Sequence, residues 1–182
     1  MASNLVQQAQ IELWVLEAQA GESAAFGALY QHFNPLVLGF AYKVTQDKEL
    51  AQDAVQEAWI KLSKRLAKLD DPAAFTAWLF KLTHWQILDQ LKHAKKSPLS
   101  SNNGKEQVFI NEPVDASDLN EAIGRLAPQD QQIIHLFYLA GFSLNEISDI
   151  LNIATGTVKS RLFRARQALK DTFDKESNHE HR

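Results

Sequence analysis

The chain has no cysteine. That absence removes disulfides, thiolate metal sites and cysteine nucleophiles together, and it fits a reducing cytoplasm, the location expected here. The start, Met-Ala-Ser-Asn-Leu-Val-Gln-Gln, lacks the basic lead and apolar core of a secretory signal. No apolar run approaches the ~18 residues that a membrane span needs. Strand signals are nearly missing, and the only short β-like run is Val108-Phe109-Ile110. A P-loop, a nucleophile elbow and a dinucleotide fingerprint are all absent, so no catalytic chemistry is expected. Asp89 and His93 stand four apart, and His179-Glu180-His181 lies near the chain end. Neither pair has a third ligand at suitable spacing, so no metal and no other cofactor is expected.

Acidic residues are also absent from one stretch, and that gap is informative. From Asn152 to Lys170 there are five Lys/Arg and no Asp or Glu, in a chain of net charge −3. A second basic segment, 81–96, holds four Lys against one Asp. The rest is acid-rich. Local fields govern phosphate contact, so the overall sign is a weak veto on nucleic-acid binding.

Helix signals fill most of the remaining length. A first helix is expected over about 5–20, stopped by Gly21, with Ser23 capping a second that runs towards Phe33. Asn34-Pro35 reads as a break and restart up to about Thr45. Asp47 opens a long helix to about Leu69. Asp71-Pro72, a cap followed by proline, opens another that runs to about Lys95. Residues 97–115 are rich in Ser, Asn, Gly and Pro and read as a flexible linker. Four shorter helices follow, at about 117–126, 129–140, 144–151 and 155–173. Gly141 ends the second of them, and Ser143-Leu-Asn-Glu146 is a capping box for the third. The acidic end, 171–182, reads as a disordered tail. The expected fold is all-α, with two helical domains joined by a flexible linker.

The pair 144–151 and 155–170, separated by about three residues, has helix-turn-helix grammar. Run as a helix, the second segment gathers Val158, Leu162 and Ala165 into an apolar spine that can pack on Leu144, Ile147 and Leu151. Lys159, Ser160, Phe163 and Arg164 face away, as base-edge readers would. Arg matches guanine O6 and N7, and Phe suits a thymine methyl. Arg161, Arg166 and the Thr155-Gly156-Thr157 backbone are placed for phosphates.

Helix 72–95 is apolar almost all round except for one stripe: Trp78, Lys81, Trp85, Asp89 and Lys92. Tryptophans interleaved with lysines suit single-stranded nucleic acid, where rings stack on bases and ammonium groups follow the backbone. The competing reading places both tryptophans in the core. On helix 47–69, Val55, Ala58, Leu62, Leu66 and Leu69 share the buried side. Asp53, Glu57, Ile60 and Lys64 lie opposite, with Gln56 beside them. An Ile centred in a polar exposed face is either a protein-binding patch or a stray surface residue.

Leu126-Ala-Pro128, Gly141-Phe-Ser-Leu-Asn-Glu-Ile147 and Gly156-Thr-Val-Lys-Ser-Arg-Leu-Phe-Arg-Ala-Arg166 resemble region 4 of a known family. It is the extracytoplasmic-function (ECF) group of bacterial RNA polymerase sigma factors. Ala51-Gln-Asp-Ala-Val-Gln-Glu-Ala-Trp59 resembles their region 2.2, and Phe75-Thr-Ala-Trp-Leu-Phe-Lys-Leu82 their region 2.3, running into 2.4. The resemblance spans about 22–173 and implies a region 2-like bundle over 1–96, a linker over 97–115, a region 4-like helix-turn-helix domain over 116–175, and a tail over 176–182.

It also implies function. The chain would bind core RNA polymerase and direct promoter-specific initiation. Asp53, Gln56 and Glu57 would dock on the clamp coiled coil of the largest subunit, and region 4 would meet the flap. Helix 155–170 would read the −35 element. Helix 72–95, with the preceding loop that includes Asp71 and Phe75, would capture the −10 element with a base flipped out. Promoter DNA, double- and single-stranded, and an anti-sigma factor are the implied partners.

Thr83-His84-Trp85 departs from the usual Ala-Arg-Asn of the family, so either Trp85 stacks in place of a hydrogen bond or −10 specificity is unusual. One tryptophan at Trp78, where primary sigma factors carry paired aromatics, implies a stricter promoter. The 19-residue linker stretches to about 60 Å at ~3.3 Å per residue, which spans about 17–18 base pairs. The alternative is a helix-turn-helix regulator with a sensing or dimerising N-terminal domain. An enzyme in a helical bundle ranks last.

Overall fold

The computed structural model describes residues 2–96 and 117–179. The described residues contain helices and turns and no strand. The chain divides into two compact units, Met1–Gly104 and Lys105–Arg182. The linker expected over 97–115 and the β-like run at 108–110 lie outside the described residues.

In the first unit, α1 spans Ala2–Gln19, α2 Ser23–Thr45, α3 Lys48–Arg65 and α4 Phe75–Lys96. Short 3-10 turns at Leu66–Lys68 and Pro72–Ala74 link the last two. Local chemistry sets most boundaries. The Asp47 carboxylate accepts the Leu50 N–H at 3.0 Å and starts α3. The Asp71 carboxylate accepts the Ala73 N–H at 3.0 Å, with Pro72 in the first position of the turn it caps.

Two expectations fail in α2. Glu22, not Ser23, occupies the N-cap and makes no side-chain cap bond. The helix also runs straight through Asn34-Pro35 to Thr45. An interior proline costs about 3 kcal/mol. Leu29, Phe33, Val37 and Phe40 form one fully or nearly fully buried stripe across it. Each such side chain contributes about 1.5–3 kcal/mol when buried, so together they outweigh the proline.

The core forms where α2, α3 and α4 meet. Phe33 packs on Phe75 with ring centroids 5.5 Å apart, and Phe40 packs on Phe80 at 5.6 Å. Ala51, Ala54 and Ala58 are buried on α3 and let its neighbours approach closely. Lys61 Nζ donates to Gln86 Oε1 at 2.5 Å, which ties α3 to α4. α1 packs on α2 and on the two 3-10 turns after α3, and Gln19 ties it to the first of them. Its Nε2 donates to Leu66 O at 2.9 Å and Leu69 O at 2.7 Å, satisfying carbonyls where the helix runs out.

In the second unit, α5 spans Ser117–Gly124, α6 Pro128–Ile134, α7 Leu144–Leu151 and α8 Thr155–His179. A π-helical turn, His135–Leu139, follows α6 where continued α-helix is expected. Gly141 then takes φ 74°, in the left-handed region, a conformation that favours glycine. The acidic end expected to be disordered instead continues α8 as far as His179.

The capping box on α7 is complete. Ser143 N–H donates to Glu146 Oε2 at 2.8 Å, and Glu146 N–H donates to Ser143 Oγ at 3.3 Å. Ser143→Ala is expected to cost about 1 kcal/mol of stability, read as a lower midpoint in thermal denaturation followed by circular dichroism. An unchanged midpoint would mean the cap does not hold α7.

Candidate nucleic-acid and polymerase interfaces

The turn between α7 and α8 is built by Asn152, which sits in the left-handed region at φ 53°. Ser148 braces it: its carbonyl accepts the Ile153 N–H at 3.1 Å, and its Oγ donates to Ile153 O at 2.6 Å. Val158, Leu162 and Ala165 are then buried on α8, alongside Ile147, Ile150 and Leu151 of α7. That burial fixes which way the opposite face points. Phe163 is 70% exposed, and Lys159, Ser160 and Arg164 are exposed beside it. The aromatic ring therefore stands in solvent at the centre of a basic face.

Two arginines of this face have partners that the sequence did not announce. Arg164 Nε donates to Asp130 Oδ2 at 3.0 Å, and its Nη2 donates to Asp130 Oδ1 at 2.8 Å. This contact holds the Arg164 pKa above its ordinary value, chiefly through the hydrogen bonds and then through the charge of Asp130. Arg166 Nε donates to the Tyr138 hydroxyl at 2.7 Å, and its guanidinium lies 5.4 Å from the Phe137 ring centroid. Arg161 is half-buried, as are Thr155 and Thr157, and Gly156 is exposed. Both Thr157 N–H and Val158 N–H donate to Ala154 O, at 2.8 and 3.1 Å. The amides at the open end of α8 are therefore those of Thr155 and Gly156, where the helix dipole favours an anion.

On α4 the departure Thr83-His84-Trp85 resolves by burial. Thr83 and His84 are buried, with the His84 ring 6.3 Å from Phe40, whereas Trp85 is 53% exposed. Trp85 is thus not core. Lys81 Nζ lies 5.7 Å from its ring centroid, a cation–π contact that steadies both side chains. Trp78 and Lys81 are half-buried, and Asp89 and Lys92 are exposed. Asp89 pairs with His93 at 3.7 Å.

Phe75 requires a correction. It is 0% exposed against Phe33, so it supports the loop from within and presents no ring to DNA. Asp71 is exposed at the same loop, with one oxygen engaged in its cap.

On α3, Val55, Ala58 and Leu62 face the core; Leu66, in the 3-10 turn that follows where the sequence led one to expect continued helix, is buried as well, and Leu69 beyond it is half-buried. Asp53, Gln56 and Glu57 are exposed opposite, and Ile60 is 38% exposed among them. This is the expected polar face with an apolar centre. Among the described residues no group of acidic or histidine side chains is arranged to hold a metal ion, and no helix is long and apolar enough to cross a membrane.

Comparison with known proteins joins these faces. The Sigma-70 region 2 family model matches residues 29–97, and the Sigma-70, region 4 model matches 117–169. The ECF RNA polymerase sigma factor SigL of Mycobacterium tuberculosis is 30% identical over 86% of this chain and 93% of its own length. The ECF RNA polymerase sigma factor SigM of Bacillus subtilis is 28% identical over 84% and 97%. Among solved structures, the sigma factor RpoE from Bartonella quintana, in complex with the anti-sigma factor NepR, superposes with a TM-score of 0.64 at 23% identity. That match covers 82% of this chain and 96% of that one.

Proposed function

The chain belongs to the ECF group of RNA polymerase sigma factors, and from that premise we propose how its faces divide the work of promoter-specific initiation. The exposed face of α3, with Asp53, Gln56, Glu57 and Ile60, docks on the clamp coiled coil of the largest polymerase subunit. A half-exposed apolar side chain ringed by polar ones is the pattern of a protein-binding centre with a hydrated rim.

The outer face of α8 reads the −35 element. Lys159, Ser160, Phe163 and Arg164 meet base edges. Arg161, Arg166 and the Thr155-Gly156-Thr157 turn meet phosphates, with the amides of Thr155 and Gly156 as donors. The α4 stripe captures the opened −10 strand: Trp85 stacks on a base, Trp78 walls the site, and Lys81 and Lys92 follow the phosphates. Asp71 and Asp89 border it. Residues 1–96 thus serve polymerase and the −10 element, 116–175 serve the −35 element and the flap, and 97–115 tether them.

The observation that carries this reading is the exposure of Phe163 and Trp85, each beside basic side chains, on helices whose other faces are buried. Large aromatics held in solvent next to cations suit stacking and groove contact better than folding. Phosphoryl transfer belongs to the polymerase core, so this chain works in the cytoplasm without catalytic chemistry or a cofactor of its own. An anti-sigma factor that covers these faces is the further partner we propose; the similar RpoE structure holds its sigma factor in complex with the anti-sigma factor NepR. Co-elution of the purified chain with core RNA polymerase at moderate salt tests the assignment. A stable complex supports it. Failure to co-elute returns the chain to a promoter-binding regulator.

A further inference from the structure

Arg164 is the side chain best placed to read a guanine, yet its charge is already engaged from another helix. Asp130 stands on the first turn of α6, 34 residues earlier, and its side chain is only 6% exposed. The Arg164 side chain is 64% exposed. The contact therefore joins a sealed carboxylate to a guanidinium that remains largely in solvent.

The geometry of the two bonds matters. A guanidinium carries five N–H donors in one plane. Asp130 takes Nε–H and one Nη2–H, the side edge of the fork. The end edge, formed by Nη1 and the second Nη2 hydrogen, keeps two parallel donors, and these match guanine O6 and N7. One arginine can satisfy both partners without breaking either contact.

We propose that Asp130 is a positioning residue for base reading: its buried carboxylate grips the side edge of Arg164 and aims the end edge at the major groove. Arginine rotates about four side-chain bonds, and ordering it costs entropy at the moment of binding. A carboxylate fixed by burial orders the fork beforehand. As a purely structural tie the pair would contribute little, because its arginine lies in solvent, where such contacts are weak. Arg166, held by the Tyr138 hydroxyl and the Phe137 ring, offers a neighbouring precedent for arginines ordered from outside α8. The inference rests on the assignment of α8 to the −35 element, and the variants below separate the two.

The test uses the full-length chain assembled with core RNA polymerase and a pool of DNA duplexes with a randomised window, sequenced after binding. Arg164→Lys keeps the charge and removes the fork, and it is expected to flatten base preference at one position about tenfold. If that variant leaves preference intact, Arg164 does not read bases, and both the −35 assignment of this residue and the role of Asp130 fall. Asp130→Asn keeps the shape and leaves Arg164 charged. It is expected to reduce preference at the same position about three- to tenfold, with affinity for unrelated duplexes and its salt dependence unchanged or slightly higher. In the Arg164→Lys background the Asp130→Asn effect is expected to vanish. Equal losses on every sequence would reduce Asp130 to a structural role and overturn the proposal. Preference that is unchanged, or sharper because a latch has been released, would overturn it as well.

Discussion

Asp53→Arg is expected to weaken binding of core RNA polymerase by at least about a hundredfold, because reversing a charge in the middle of the proposed docking face strands a desolvated cation there. The fold should not notice. Asp53 is exposed on α3, whose hold on the bundle comes from Ala54, Val55, Ala58 and Leu62 on the other side. Arginine is also at least as good a helix former as aspartate, so stability should stay within about 0.5 kcal/mol of the parent. The measurement pairs a binding titration against core polymerase with a thermal melt. Unchanged affinity with an unchanged melt would move the docking face away from α3. Ile60→Ala, at the apolar centre of the same patch, offers an independent check: affinity should drop there too, without a charge change.

Trp85→Ala is expected to impair promoter opening about ten- to a hundredfold, since an aromatic platform contributes about 1–3 kcal/mol per stacked base. Closed-complex formation should change little, because duplex DNA offers Trp85 no base to stack on. The residue is 53% exposed and leans on Lys81 rather than on the core, so its removal leaves no interior cavity. Potassium permanganate reactivity of thymines in the −10 region reports opening, and filter binding reports the closed complex. Equal losses in both would mean that Trp85 supports duplex contact or folding. Trp78 is a poorer probe because it is half-buried, and truncating it would mix packing with stacking.

Features decided within one turn of chain were legible in the sequence. Asp47, Asp71-Pro72 and the Ser143/Glu146 box each cap where their local chemistry says they should. The alternation that places Val158, Leu162 and Ala165 inside also leaves Phe163 outside. Features decided by distant neighbours were not. Pro35 reads as a break because the local rule is strong, yet the buried stripe from Leu29 to Phe40 overrides it. Membership of a loop suggested that Phe75 faces DNA, whereas Phe33, contributed by α2, draws its ring inward. Asp130–Arg164 and Tyr138–Arg166 join side chains 34 and 28 residues apart, and no periodicity within α8 points to either partner. The sequence placed Arg164 and Arg166 on the exposed side of α8 but could not say what already held them.

The central claim is that the faces of α4 and α8 act as a pair on one piece of DNA when polymerase holds them. Hydroxyl-radical footprinting of the assembled holoenzyme, on a promoter located by mapping transcript starts after overexpression, tests it most directly. The expected result is two protected patches whose centres lie about 17–18 base pairs apart. Arg164→Lys should weaken the upstream patch, and Trp85→Ala should lower permanganate reactivity at the downstream one by about ten- to a hundredfold. A single continuous patch, or an upstream patch indifferent to Arg164 beside a downstream one indifferent to Trp85, would contradict the account.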